Sequence, residues 1–170
     1  TRYQPFDGPA FNADGPSPRA VNQGSLGDCW FMAAMGATSR QQPIAVRKLV
    51  QNNGNGTYDV TLYVPDRFGS LKPSTKTVDM NFPSKDGVKP LYAKTGDQDE
   101  WWAALLEKRL AMETGSYEGI RGSNIHKHLR FNGGTDLLTG QRSRYIRTGD
   151  QSNEQLLQTL KTAMDEGRPI

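Results

Sequence analysis

At 170 residues the chain has room for one domain with a real core, or for one lobe and part of a second. Hydrophobic residues at 35% and charged residues at 23% describe a globular protein and exclude a disordered one, while 18 Gly and 10 Pro predict many loops. The net charge of +3 arises from 21 Lys and Arg interleaved with 18 Asp and Glu in no basic block, so a nucleic-acid-binding domain is a rival reading favoured only by the basic pI and no such partner is expected, and no apolar run is long enough for a membrane span.

Residues 1–20 hold four prolines and two glycines, which leaves no room for a helix and predicts an extended arm anchored by Tyr3, Phe6 and Phe11. The arm carries no signal-peptide h-region. From Cys29 to about Ser39 the residues are apolar on every side, the pattern of a short helix buried all round, starting at or just before Asp28. A second helix is predicted over 43–50, opened by Pro43 and closed by "NNGNG". The period then changes to two. Tyr58, Val60, Leu62 and Val64 mark one strand, Val78, Met80 and Phe82 another, and the ten or so residues between them predict an open hairpin.

The most regular helix lies in "DEWWAALLEKRLAMETG", where Trp102, Leu106 and Leu110 recur at four-residue intervals before Gly115. A composition break follows at "FNGGTDLLTGQRSRYIRTGDQ", read as the end of one lobe and the crossing to another. A last helix begins at Ser152, which forms a capping box with Gln155, carries the stripe Leu156, Leu157, Leu160 and Met164, and closes at Gly167 and Pro169. Ile170 stands where a strand of the second lobe would begin.

The single cysteine rules out an internal disulfide and fits a reducing, cytoplasmic compartment, although secretion from a microbe stays open. Its position invites chemistry. A helix N-terminus favours the negative charge of a thiolate, and acyl transfer needs donors aimed at an oxyanion, commonly the backbone N–H of the nucleophile with a side-chain amide. Gln23 offers that amide, and Gly24 and Gly27 let the intervening turn fold back towards Cys29. Composition alone leaves the plainer alternative of a small buried hydrophobe open. "HKH" at 126–128 is too short to make a metal site by itself.

"QGSLGDCWFMAA" resembles the active-site cysteine segment of the calpain family, papain-like cysteine peptidases with the pattern Gln-Gly-x-Leu-Gly-Asp-Cys-Trp. "EWWAALLEKRLAMETGSYEGIRG" is similar to the later helix of the same family, and "GGTDLLTG" to the turn that ends its cysteine-bearing lobe. The resemblance implies an α+β, papain-like fold: a mainly helical first lobe over 21–140 with a small β-hairpin, preceded by the arm at 1–20 and followed by the start of the second lobe at 141–170. It also implies that Cys29 is the nucleophile, Gln23 the oxyanion-hole amide and Trp30 a packing residue behind the thiol. The family's histidine and asparagine belong to the second lobe, and this chain lacks both. His126 and His128 lie where the family keeps no base, so a solvated surface role fits them better. Asp28 is expected to be a cap or hydrogen-bond partner, since its charge would oppose a thiolate.

Calcium is the remaining implication. The family's first-lobe site pairs the Glu of "S-Y-E", here Glu118, with an Asp nine residues before the cysteine, where this chain has Ala20; Asp14 is the nearest substitute. The expected activity is a cysteine endopeptidase acting on a polypeptide bound in an inter-lobe cleft, with this chain nearly inactive without the other lobe. The rival reading is a non-catalytic peptide-binding or regulatory module that retains the lobe.

Overall fold

The computed structural model describes residues 1–170 except 96–98, 123–124, 126–128 and 131. In chain order it runs β1 (Arg2–Pro5), α1 (Cys29–Gln41), α2 (Pro43–Lys48), β2 (Val50–Asn52), β3 (Thr57–Pro65), β4 (Leu71–Asp79), β5 (Asn81–Ser84), α3 (Trp102–Thr114), α4 (Gly134–Thr139) and α5 (Asn153–Asp165). Short 3-10 turns lie at Pro18–Ala20, Glu118–Ile120 and Thr148–Asp150. The architecture is the α+β mixture expected.

The arm is woven into the domain. β1 pairs antiparallel with β5, Arg2 opposite Ser84 and Pro5 opposite Asn81. Beyond it the carbonyls of Pro9 and Ala10 accept the backbone N–H groups of Trp101 and Trp102, so the arm satisfies donors that α3 leaves unpaired at its first turn. Phe6 packs against Trp101 at 5.3 Å between ring centroids, and Trp101 stacks on Phe82 at 5.2 Å. Phe6 and Phe11 are thus anchors, whereas Tyr3 is mostly exposed.

The hairpin is longer and tighter than the alternation of apolar residues suggested. β3 and β4 stay in register from Thr57 opposite Asp79 to Pro65 opposite Leu71, which leaves only residues 66–70 to turn the chain. Asp66 closes that turn, its backbone N–H donating to the Ser70 carbonyl and its carboxylate accepting from the N–H groups of Phe68 and Ser70. The strand expected to run through Phe82 instead divides, 76–79 ending β4 and 81–84 forming β5 of the other sheet. The helix expected over 43–50 stops at Lys48. Val50–Asn52 becomes β2, the third strand beside β3.

The helix α3 is the central element. Its Trp102, Leu105, Leu106 and Leu110 have no exposed surface, and on the face towards the three-stranded sheet it carries a fully buried Arg109. That guanidinium is satisfied by the Val60 carbonyl (3.2 Å), the Ser74 carbonyl and hydroxyl (3.0 and 2.8 Å) and Glu113 (2.8 Å). Burial raises the pKa of Glu113, but hydrogen bonds from Arg109 and Lys76 outweigh it and hold the carboxylate below its usual range. On the other side, α1 buries Phe31, Met32, Ala34 and Met35 and packs against α4. Gly134 is required there, because a Cβ at that position would stand 2.6 Å from the Ala34 Cβ. The segment read as a crossing between lobes therefore contains a packed helix. α5 begins with the expected capping box, Ser152 accepting from the Gln155 N–H and Gln155 accepting from the Ser152 N–H.

Arg109→Ala should destabilise the chain by about 3–5 kcal/mol, because it leaves buried carbonyl and carboxylate groups without their cation. Urea unfolding followed by Trp fluorescence measures this. A loss below about 1 kcal/mol would mean that the guanidinium does not join α3 to the hairpin.

Candidate active site

Residues 22–25 run antiparallel beside 91–94. The Lys94 N–H donates to the Asn22 carbonyl at 2.9 Å and the Ser25 N–H to the Leu91 carbonyl at 3.0 Å. Gly24 makes this approach possible, since a Cβ on it would lie 1.9 Å from the Tyr92 carbonyl oxygen. Gln23 is thereby placed on a clamped segment with its side chain at the surface.

The chain then turns through Leu26 and Gly27 into α1. Leu26 is buried, and the Gly27 carbonyl accepts the Gly122 N–H at 2.8 Å. Asp28 is the N-cap residue and Cys29 opens the helix, with the Phe31 and Met32 N–H groups donating to the Asp28 carbonyl. Cys29 is exposed. The thiol therefore stands in solvent at the N-terminal end of a buried helix, rather than in the core as a structural cysteine would. Trp30 is braced against the turn after α3, its indole N–H donating to the Ile120 carbonyl at 3.0 Å and its ring lying 5.3 Å from that of Phe31.

Asp28 turns the opposite way and is fully buried. It is a hydrogen-bond partner and not a side-chain cap. One carboxylate oxygen, Oδ1, accepts from the Gln23 amide at 3.4 Å, and the same amide nitrogen donates to the Leu26 carbonyl at 2.5 Å. Both Gln23 amide hydrogens thus rest on protein acceptors, one tightly and one loosely. Beneath Asp28 lies Glu107 of α3, also buried, with Oε2 accepting from the Ala93 N–H at 3.0 Å. Asp28 Oδ2 and Glu107 Oε1 are buried with no hydrogen-bond partner among the described residues, and the two carboxyl groups lie near enough for each to shift the ionisation of the other. Burial foremost, then the charge of Asp28, pushes Glu107 well above the usual carboxylate range. Burial also raises Asp28, against the lowering effect of hydrogen bonds from Glu107, its own backbone N–H and Gln23.

Sequence reasoning missed Glu107. Nothing local marks it, because Glu107 is followed by Lys108 and Arg109 and reads as part of a charged face until the fold places it beneath Asp28.

Glu118 opens the 3-10 turn after α3, where its carboxylate receives the Arg121 guanidinium through Nε at 2.9 Å and Nη2 at 3.2 Å. The hydrogen bond from Arg121, and then its charge, lower the Glu118 pKa against a small opposing effect of burial. Ala20 is fully buried and Asp14 is exposed on the arm. His126 and His128 lie outside the described residues. Among the described residues no helix is long and apolar enough to cross a membrane.

The family model for the calpain family of cysteine proteases matches residues 2–170. This chain belongs to that family. The catalytic subunit of calpain-1 from Sus scrofa is 33% identical over 135 residues, covering 76% of this chain and 18% of the relative. Calpain-5 from Caenorhabditis elegans is 30% identical over 166 residues, covering 94% of this chain and 25% of the relative. The calpain-1 catalytic subunit from Homo sapiens is 33% identical over 132 residues, covering 74% and 18%. The chain spans about a quarter or less of the length of these calpains. As in the family pattern, Gln23 and Cys29 lie on either side of a Gly-containing turn, here with Asp28 buried between them.

Two outcomes follow for the calpain lobe. Cys29 should be alkylated by iodoacetamide in the folded chain without prior unfolding; a rate that tracks global unfolding would place the thiol in the core. Gly24→Ala should strain the clamp by about 1–3 kcal/mol and accelerate amide exchange at Ser25 and Lys94 about ten- to a hundredfold. Unchanged protection at both amides would refute the clamp.

Proposed function

We propose that this chain is the nucleophile-bearing lobe of a calpain-type cysteine endopeptidase. The observation that carries the reading is the exposed Cys29 thiol at the first turn of a helix whose other residues are largely buried, on a turn that also bears Gln23. In this reading Cys29 Sγ bonds to the carbonyl carbon of a peptide while a histidine of the second lobe takes the thiol proton. The carbonyl oxygen becomes an oxyanion held by the Cys29 N–H and one Gln23 amide hydrogen. The C–N bond breaks as the imidazolium protonates the leaving amine, and water then cleaves the thioester to a carboxylic acid and free thiol.

The peptide substrate lies between this lobe and the second one, which supplies the histidine and the asparagine that orients it. α5 supports that division. Leu157, Leu160 and Met164 are 68%, 39% and 54% exposed, so its apolar stripe is unmatched by the first lobe and suits the core of the second.

The side chains at Glu118 do not fit a calcium ion. The carboxylate is engaged bidentately by a guanidinium, the position of the paired Asp is a buried methyl group at Ala20, and among the described residues no three His, Cys, Asp or Glu side chains converge to hold a metal. Calcium enters no step of this reading. Adding calcium or a chelator should leave the thermal midpoint of the chain unchanged, whereas a saturable rise with calcium would restore a site here.

The decisive test uses a chain continued through the second lobe with its histidine and asparagine. Cys29→Ala should abolish cleavage of an unstructured peptide, and Gln23→Ala should lower kcat about 10²–10³-fold. The 170-residue chain alone should fall short by at least about 10³-fold, as expected when members of a triad are absent. Cleavage that survives Cys29→Ala would overturn the assignment.

A further inference from the structure

Gln23 must release a hydrogen to serve an oxyanion, yet both of its amide hydrogens have acceptors at rest. The bond to the Leu26 carbonyl at 2.5 Å is short, and the one to Asp28 Oδ1 at 3.4 Å is at the edge of hydrogen-bonding distance. Only the second is weak enough to exchange readily for a substrate oxygen. Its strength depends on how much negative charge Asp28 presents, and Asp28 is buried against Glu107.

We infer that Glu107 is a positioning residue for the thiol site: it keeps a proton, donates it to Asp28, and so leaves one Gln23 amide hydrogen loosely held and available to an oxyanion at Cys29. The inference rests on the oxyanion role proposed for Gln23. Geometry supports it on four counts. The two carboxyl groups are both buried, each has one oxygen without another donor, and their remaining oxygens are separately occupied by the Gln23 amide and the Ala93 N–H. Two carboxylates so placed cannot both be ionised at modest cost, and the pair shares one proton between neighbouring oxygens. The element that anchors Glu107 through Ala93 is also the segment that clamps Gln23.

The groups facing Glu107 are few. Asp28 meets it from the start of α1, Tyr92 from the 91–94 segment and Tyr117 from the turn after α3. Burial first, then nearby charges that include Glu107, raises the pKa of both tyrosines above that of a free phenol, so neither ionises where the carboxyl pair does. When Glu107 loses its proton, Asp28 loses its donor and turns its full charge on the remaining one. The Gln23 hydrogen is then drawn inward and lost to the oxyanion.

The sign of the stability effect is set. Glu107 has a folded-state pKa above its ordinary value of 4.5. Its contribution is therefore complete below that ordinary value and is lost as pH rises through the raised one.

The test is a pH titration of the 170-residue chain by NMR, reading the Glu107 side-chain carboxyl carbon and the Gln23 side-chain amide. Glu107 should titrate well above the ordinary glutamate value of 4.5. On ionisation, the Gln23 amide proton should move downfield with the same inflection. In Glu107→Gln, which donates to Asp28 at every pH, the Gln23 signal should show no inflection. The urea midpoint of the wild type should fall relative to that of Glu107→Gln over the same range.

A Glu107 that titrates at or below the ordinary glutamate value in the wild type overturns the inference without any variant. A Gln23 inflection that persists in Glu107→Gln overturns it as well. In the chain continued through the second lobe, kcat should fall with the Glu107 inflection in the wild type and lose that inflection in Glu107→Gln. If the NMR behaviour is as expected but Gln23→Ala leaves kcat intact, the oxyanion role fails while the positioning of Gln23 stands.

Discussion

The burial of Asp28 beside an exposed Cys29 is the constraint on which the site depends. Successive residues at a helix start point in different directions, and here Asp28 is turned into the core while Cys29 faces solvent. A carboxyl group without solvent needs partners, and those of Asp28 come from separate parts of the chain: Gln23 from the clamped segment before α1, and Glu107 from the middle of α3. Glu107 in turn holds Ala93. One buried polar cluster thus ties together the helix that begins at Cys29, the central helix and the segment that carries Gln23. A cluster of this kind tolerates no half-satisfied member, which makes it a source of geometric precision and also a point of fragility.

The surrounding packing serves that cluster. α3 is held at its N-terminal end by the arm and at its middle by Arg109 reaching into the hairpin, so the position of Glu107 is determined from both directions. The turn after α3 supports α1 through two bonds that need no metal: the Trp30 indole to the Ile120 carbonyl, and the Gly122 N–H to the Gly27 carbonyl. The Glu118 and Arg121 side chains pair across this turn in solvent, where an ion pair contributes little to stability. The backbone bonds and the Trp30 ring carry the bracing. Glu118 is thereby a carboxylate with its charge already answered, in keeping with the proposal that calcium enters no step here.

Much of this was legible in the sequence where the signal was local. The start of α1 at Asp28 and Cys29, the stripe of α3 ending at Gly115, and the Ser152 capping box each depend on residues within a few turns of one another, and each is observed. The errors fell where pairing partners are distant. β1 and β5 are short polar segments that become strands only because they meet. β4 carries Lys, Pro, Ser and Thr through its first half, since that half is largely open to solvent, and alternation of apolar residues misses such a strand. Val50 resembled the end of a helix until β3 offered it a partner opposite Val60. The same limit hid Glu107. A Glu followed by Lys on a helix ordinarily faces water, and only its placement beneath Asp28 gives it another role.

The proposed division into two lobes would separate what must be fixed before substrate arrives from what can be supplied afterwards. Electrostatic stabilisation of an oxyanion is effective only if the donors need not reorganise during the reaction, so the thiol and its donors belong on one rigid lobe. Rigidity alone would be self-defeating here, because an amide whose hydrogens are both tightly bound has nothing to offer. The arrangement at Gln23 resolves the conflict by unequal bonds: a short one to Leu26 fixes the amide plane, and a long one to Asp28 keeps the second hydrogen in reserve. On the inference drawn for Glu107, the proton that it keeps sets how loosely that hydrogen is held. The chemistry proposed for Cys29 is then tuned from the core, by a residue on a different helix.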